Sequence, residues 1–257
     1  MKTITRLTTT MLGSALALGA AACGSATEST SSDQAEDLSA SCNASADGYV
    51  VGTAAQSTGD PHMVSGDGLA FEDQSSGWHL ELQSISATNK STPTAWQLQV
   101  AADQYMCFPG VRCTRAVDVY VGGSRLHFWR SGAVAINGAG ATISSPLALP
   151  MHVSVTHTPA SASAPFDQYV ITNAYGETVT LDVTSVTIDV YVNLSRARKS
   201  DRVGGILGCF DHDGDPTNDL CHRNKCTGSF DASDPNQVAA FLDEWRVLGD
   251  DDCDTSE

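Results

Sequence analysis

The sequence predicts a mainly β fold: an antiparallel β-sandwich or barrel-like sheet with one irregular acidic loop and one short C-terminal helix. Three observations carry that prediction. Apolar residues recur at every second position in many short runs between residues 78 and 192. Gly-rich turns separate those runs. One stretch near the C-terminus carries the start signals of a helix instead.

The runs follow in order. Trp78, Leu80 and Leu82 alternate with polar neighbours, as do Trp96, Leu98 and Val100. Val117, Val119 and Val121 run into Gly122-Gly123, and Leu126 and Phe128 follow, which reads as a hairpin. Met151, Val153 and Val155 predict another strand, then Tyr169 and Ile171. Val179, Leu181 and Val183 and then Val186, Ile188, Val190 and Val192 complete the set, with turns at Asn137-Gly138 and Tyr175-Gly176. For the helix, Asp234 is the cap, Pro235 the first residue and Gln237 the third after the cap, with Val238 to Trp245 filling it. The chain shows no internal repeat of solenoid or propeller length.

The chain has 257 residues, 41% of them hydrophobic, enough for one large domain or two small ones. Residues 1–22 read as an export signal of lipoprotein type. Lys2 and Arg6 form the charged start, and Met11 to Ala22 is an apolar run too short for a mature membrane span. Leu18-Gly19-Ala20-Ala21-Ala22-Cys23 resembles a bacterial lipoprotein site, which makes Cys23 the candidate lipidated residue, although Ala20 stands where Leu is usual. Simple secretion is the alternative. Either way the chain is exported, to the periplasm, the cell surface or beyond. Residues 23–41 are mostly Ser, Thr, Ala, Asp and Glu, the composition of a hydrated tether, and residues 42–257 are expected to form the folded domain.

Acidic residues outnumber basic ones by 30 to 14, a net charge of −16. Residues 1–22 hold two of the basic residues and none of the acidic, so the exported part carries 12 minus 30, or −18. Such a surface disfavours nucleic acid and anionic membrane, and favours cations. The membrane is expected to enter only through the anchor. The basic cluster Arg196, Arg198, Lys199 and Arg202 reads as a solvated turn. Beyond Cys23 there are seven cysteines, Cys42, Cys107, Cys113, Cys209, Cys221, Cys226 and Cys253. In an exported chain they read as disulfides first, with zinc at Cys221-His222 and Cys226 the lesser reading. Seven is odd, so one is free or pairs with another chain. Cys107–Cys113 would close a short loop over Pro109-Gly110, and Cys221–Cys226 another.

The stretch Gly204 to Leu220 is the chemical focus. It sets Asp211, Asp213, Asp215, Asn218 and Asp219 close together after a Gly-rich lead-in. Carboxylates so near one another repel unless a cation sits among them, and Ca²⁺ takes six to eight hard oxygen ligands. The loop is not an EF-hand: counted from Asp211, the sixth and twelfth places hold Pro216 and His222, not Gly and Glu. The plain alternative is a solvated acidic loop.

Four motifs in order resemble one family, the von Willebrand factor type D domain, over roughly residues 55–253. They are Gly59-Asp60-Pro61-His62 with Gly66-Asp67-Gly68-Leu69-Ala70-Phe71, the Cys107–Cys113 loop with the hairpin after it, Gly205 to Leu220, and Glu244-Trp245-Arg246-Val247 with Cys253. The resemblance implies a calcium site built from Asp67, Asp211 or Asp213, Asp215, Asn218 and Asp219. The departures are Gly66, Leu207 and Cys209 where the family has Phe, Cys and Asn, and a two-residue insertion at His212-Asp213. The resemblance also implies a self-cleavage site, because Gly-Asp-Pro-His is cut in some of these domains. On this chain the roles fall to Asp60, Pro61 and His62. The Asp60 carboxylate would attack its own peptide carbonyl through a five-membered ring, Pro61 nitrogen would leave, and His62 would supply the proton. The plain alternative is that Asp60-Pro61 is a turn before the first strand. A bridge from Cys42 to Cys209 or Cys253 would keep the two pieces joined.

No hydrolase, metalloprotease, phosphate-loop or dinucleotide motif is present. His79, His127, His152 and His157 fall in strand patterns and read as surface or satisfied residues. Trp78, Trp96, Trp129 and Trp245 read as packing. The expected function is therefore a tethered, calcium-bound, non-catalytic module for adhesion or binding, its partner an unnamed protein or surface glycan, with self-association left open. Self-processing at Asp60-Pro61 is the rival, and a metal-dependent hydrolase using Asp213 or Asp215 the third reading.

Overall fold

The structure, a computed structural model, describes residues 54–66, 68–88, 91–195, 203–208 and 231–247. It is a two-sheet antiparallel arrangement. With strands numbered in chain order, one sheet runs β10 (Leu147–Leu149), β11 (Val153–Thr158), β12 (Asp167–Thr172), β13 (Thr178–Val183), β14 (Ile188–Asn193), β1 (Ala55–Thr58), β2 (His62–Val64) and β3 (Ala70–Glu72). The other runs β15 (Val203–Gly204), β4 (Gly77–Ser84), β5 (Leu98–Phe108), β6 (Val111–Val121), β7 (Ser124–Trp129), β8 (Val134–Ile136) and β9 (Ala139–Ala141). Neither strand order closes on itself, so the sandwich reading holds and the barrel-like one does not.

The alternation seen in the sequence is what fills the space between the sheets. Val100, Val117, Val119, Leu126 and Phe128 meet Val155, Tyr169, Ile171, Leu181 and Val190 in one buried cluster. The Phe128 and Tyr169 ring centroids lie 5.1 Å apart. Burying each such side chain contributes about 1.5–3 kcal/mol. The predicted hairpin forms, with Val121 facing Ser124 across Gly122-Gly123. Gly122 has φ +53, and a Cβ there would come within 2.9 Å of Val153, so the turn also sets the spacing of the sheets. Asn137-Gly138 makes a two-residue turn between β8 and β9, both residues with positive φ, as a type I′ turn needs.

A second cluster lies outside the sandwich. Helix α2 (Pro235–Glu244) buries Val238, Phe241 and Leu242 against Trp78, Leu80, Ala101, Ala116, Met63 and Phe71. Asp234 caps it by accepting from Asn236 N at 2.9 Å, and Gln237 reaches back to Asp234 at 3.2 Å, as the sequence predicted. A single-turn helix, α1 (Ile85–Thr88), follows β4.

Local chemistry moves several boundaries. Trp96 precedes β5 and stacks on Tyr175 with centroids 3.4 Å apart. Met151 and His152 have φ of 56° and 59°, which no strand accommodates, so β11 starts at Val153. Val186 sits in the turn before β14 and is exposed. Trp245 is the C-cap of α2 rather than its last turn. Asp60-Pro61 does not precede the first strand: it is the turn between β1 and β2. Cys107 and Cys113 are bonded across the tip of the β5–β6 hairpin.

Candidate functional site around strand β4

The edge of β4 is where separated parts of the chain meet. Val203 and Gly204 pair with Ser84 and Gln83. The chain continues along that edge, with Ile206 N donating to Leu80 O at 3.0 Å and Leu207 N to Glu81 O at 2.9 Å. After α2 it returns to the same edge: Leu80 N donates to Trp245 O and Val247 N to Trp78 O, each at 2.9 Å. Both ends of the excursion that includes the acidic stretch are thus stitched to one strand. Only glycine fits at position 205, because a Cβ would stand 2.5 Å from Glu81 O and the φ there is +140°.

The residues on either side of Asp67 come to the same place. Gly66 N donates to Leu207 O at 3.2 Å. Ser65 closes a tight turn there, its N donating to Leu69 O at 2.9 Å and its hydroxyl accepting from Leu69 N at 3.0 Å. Asp67 itself and Asp211, Asp213, Asp215, Asn218 and Asp219 lie outside the described residues. So do Cys23, Cys42, Cys209, Cys221, Cys226 and Cys253.

Strand β4 and the segment before it carry an unusual set of buried polar groups. Asp73, His79 and Glu81 are each 0% exposed. Ser75 hydroxyl bonds Asp73 Oδ1, and Ser75 N donates to the same oxygen at 2.8 Å. His79 Nε2 lies 3.0 Å from Ser75 Oγ. With the serine proton given to Asp73, His79 donates from Nε2. The relay order is Asp–Ser–His. A nucleophile triad needs the histidine in the middle, so this serine is not activated. Burial lowers the His79 pKa, against the pull of Asp73, and keeps the ring neutral. His79 is therefore not a surface residue, and its ring is engaged by Ser75. Among the described residues neither Glu81 oxygen has a hydrogen-bond partner, and burial, reinforced by Asp73, pushes its pKa well above the ordinary carboxylate value. A β-bulge between Leu80 and Leu82 explains why sequence alternation misplaces Glu81: the extra residue breaks the register with Val100 and Ala101.

The Gly59-Asp60-Pro61-His62 turn is held from several directions. Gly59, with φ +64°, donates its N–H to Asp189 Oδ1 at 2.8 Å. Asp60 Oδ1 accepts from Arg112 N at 3.2 Å and from Gln74 Nε2 at 3.0 Å. Pro61 O accepts from Asp73 N at 3.0 Å. His62 Nδ1 sits 2.6 Å from Glu72 Oε1, its cross-strand partner, and both are exposed. The turn therefore holds the Asp60 carboxylate fixed, while the His62 ring is engaged by Glu72. No family model matches the chain, and no curated protein matches it.

Proposed function

We propose that this chain is an exported, tethered binding module of the von Willebrand factor type D kind, non-catalytic and completed by calcium. One observation carries the reading. The Gly66 N–H to Leu207 O hydrogen bond brings the flank of Asp67 to the stem of the acidic stretch, although about 140 residues separate them. A calcium ion shared by Asp67 and by Asp211 or Asp213, Asp215, Asn218 and Asp219 needs that meeting. A cation there would also relieve the repulsion of carboxylates in a chain of net charge −16. The test is isothermal titration of chelated, full-length protein with Ca²⁺ and with Mg²⁺, in wild type and in Asp67→Ala. A calcium site shows as saturable heat with Ca²⁺ that Asp67→Ala abolishes. Equal, weak heats in both proteins would reject it.

Self-processing is the second reading, supported by the two donors that orient Asp60. Attack of an Asp60 oxygen on the Asp60 carbonyl carbon forms a cyclic anhydride. The C–N bond to Pro61 breaks, that nitrogen takes a proton, and water opens the anhydride. Purified protein held at about pH 5, where a histidine carries its proton, should yield a fragment starting at Pro61, absent in Asp60→Ala. Intact mass after days in both proteins rejects this reading and leaves the binding module.

A further inference from the structure

We infer that the cleft at one end of the sandwich, between the two sheets, binds a carboxylate carried on a six-membered ring. This goes beyond the calcium reading and uses neither the metal nor the tether. The cleft encloses about 660 Å³, within the range of small-molecule sites. Its walls include Tyr105, Arg115, Trp129, Arg130, Phe166 and Asp167. Tyr105, Arg115 and Trp129 come from β5, β6 and β7 of one sheet, and Asp167 opens β12 of the other.

Two arginines, Arg115 and Arg130, line this cleft in a strongly acidic molecule. Both are held by other residues. Arg115 pairs with the buried carboxylate of Asp103 yet leaves 44% of its side chain exposed. Arg130 Nη1 donates to Ser185 O at 2.8 Å, which ties the two sheets together, and its guanidinium lies 5.2 Å from the Tyr105 ring centroid. Tyr105 is fixed in turn by donating its hydroxyl to Val186 O at 3.0 Å. Arg130 spends one of its five N–H groups on Ser185, so its planar fork keeps donors for a ligand. The one carboxylate in the lining is already engaged: Asp167 Oδ1 accepts from Ala160 N at 3.2 Å and lies 3.0 Å from His157 Nε2.

The chemistry follows from those groups. A guanidinium fork recognises a carboxylate with two parallel hydrogen bonds. Tyr105, Trp129 and Phe166 line the cleft beside it and supply apolar ring surface suited to a sugar ring or an aromatic ring. The exposed rim at Ser131, Ala160 and Ser185 lets a longer chain enter, so the acid can be a free molecule or a unit of a polymer. A uronic acid unit of a glycan and an aromatic acid share this chemistry.

The experiment titrates full-length protein calorimetrically with a galacturonate trimer, its methyl ester, benzoate and benzamide. Binding of one acid or both, with neither neutral counterpart bound, supports the site, and the acid that binds identifies the source. Arg130→Gln should weaken binding about tenfold or more, the loss expected for a hydrogen bond to a charged group. Ser131→Glu removes no contact between the sheets, so it should weaken binding in a protein that still folds, whatever becomes of Arg130→Gln. No heat with either acid up to about 10 mM, equal binding of acid and neutral counterpart, or unchanged affinity in Ser131→Glu would overturn the assignment.

Discussion

The core between the sheets and the smaller core outside β4 use similar residues but tolerate different company. Between the sheets, Val, Leu and Ile close around Phe128 and Tyr169, in strands whose alternation is regular. Outside β4, Phe71 meets Phe241 edge-on at 6.1 Å, but the same strand and its approach also bury Asp73, His79 and Glu81. A core that only has to be stable excludes such groups, because an unsatisfied buried one costs about 1–3 kcal/mol. The contrast teaches that the sandwich is the scaffold, whereas the β4 edge gives up stability where the acidic stretch is anchored.

Deleting rings should break the two cores differently. Phe128→Ala should cost about 3–5 kcal/mol of global stability, read by denaturant unfolding. Phe241→Ala should mostly loosen the outer region: hydrogen exchange at Leu80 and Val247 should speed up while Leu181 and Val190 stay protected. Equal loss of protection everywhere would merge the cores into one cooperative unit. Gly205→Ala attacks the seam itself. The Cβ collision with Glu81 backbone and the strained φ should cost roughly 2–4 kcal/mol, with α2 and the β4 edge exposed first.

Calcium should act on the outer region alone. At a hundredfold excess over its Kd it should add about 2.7 kcal/mol, raising the melting temperature of chelated protein. Asp215→Ala and Asp219→Ala should remove most of that gain. An unchanged melting temperature in millimolar calcium would undo the proposal.

The smallest effect concerns Glu81. Its folded pKa is raised, so the folded state binds the proton more tightly than the unfolded chain does. That contribution is complete below the unfolded value near 4.5 and is lost as pH climbs from there toward the folded value. Glu81→Leu should flatten this part of the pH–stability profile and stabilise the protein by about 1–2 kcal/mol at pH 7. A profile unchanged in shape would mean that Glu81 is satisfied in solution.

What could be read from the sequence divides along the same line. Val117 to Phe128, Asn137-Gly138 and the Asp234-Pro235 helix start are local patterns, and all three formed as expected. The four-residue β1 and the three-residue β2 and β3 were missed, because such short strands carry too little alternation to show against the Gly and Pro around them. Leu80 and Leu82 fall in different clusters, against the alternation, because a bulge changes register without any sequence marker. The cleft was invisible for another reason: Arg115, Arg130, Phe166 and Ser185 are brought together only by the stacking of two sheets. The hydrogen bond between Gly66 and Leu207 was not foreseen: the resemblance set only Asp67 beside the acidic stretch, and the bond leaves the metal untested.

The outermost strands have a consequence for life on a crowded surface. Among the described residues, β3, β9 and β10 are three residues long and β15 is two. On the tethered reading proposed above, copies would sit side by side at high local concentration, the condition under which open sheet edges join neighbours into fibres. Among the described residues, each of these four end strands offers a passing strand at most three residues of ladder, too few to hold it. On that reading, a partner would be recognised by side chains on faces and in clefts rather than by addition to these end strands. Crowding on a membrane would then leave the copies separate, each with its faces free to bind.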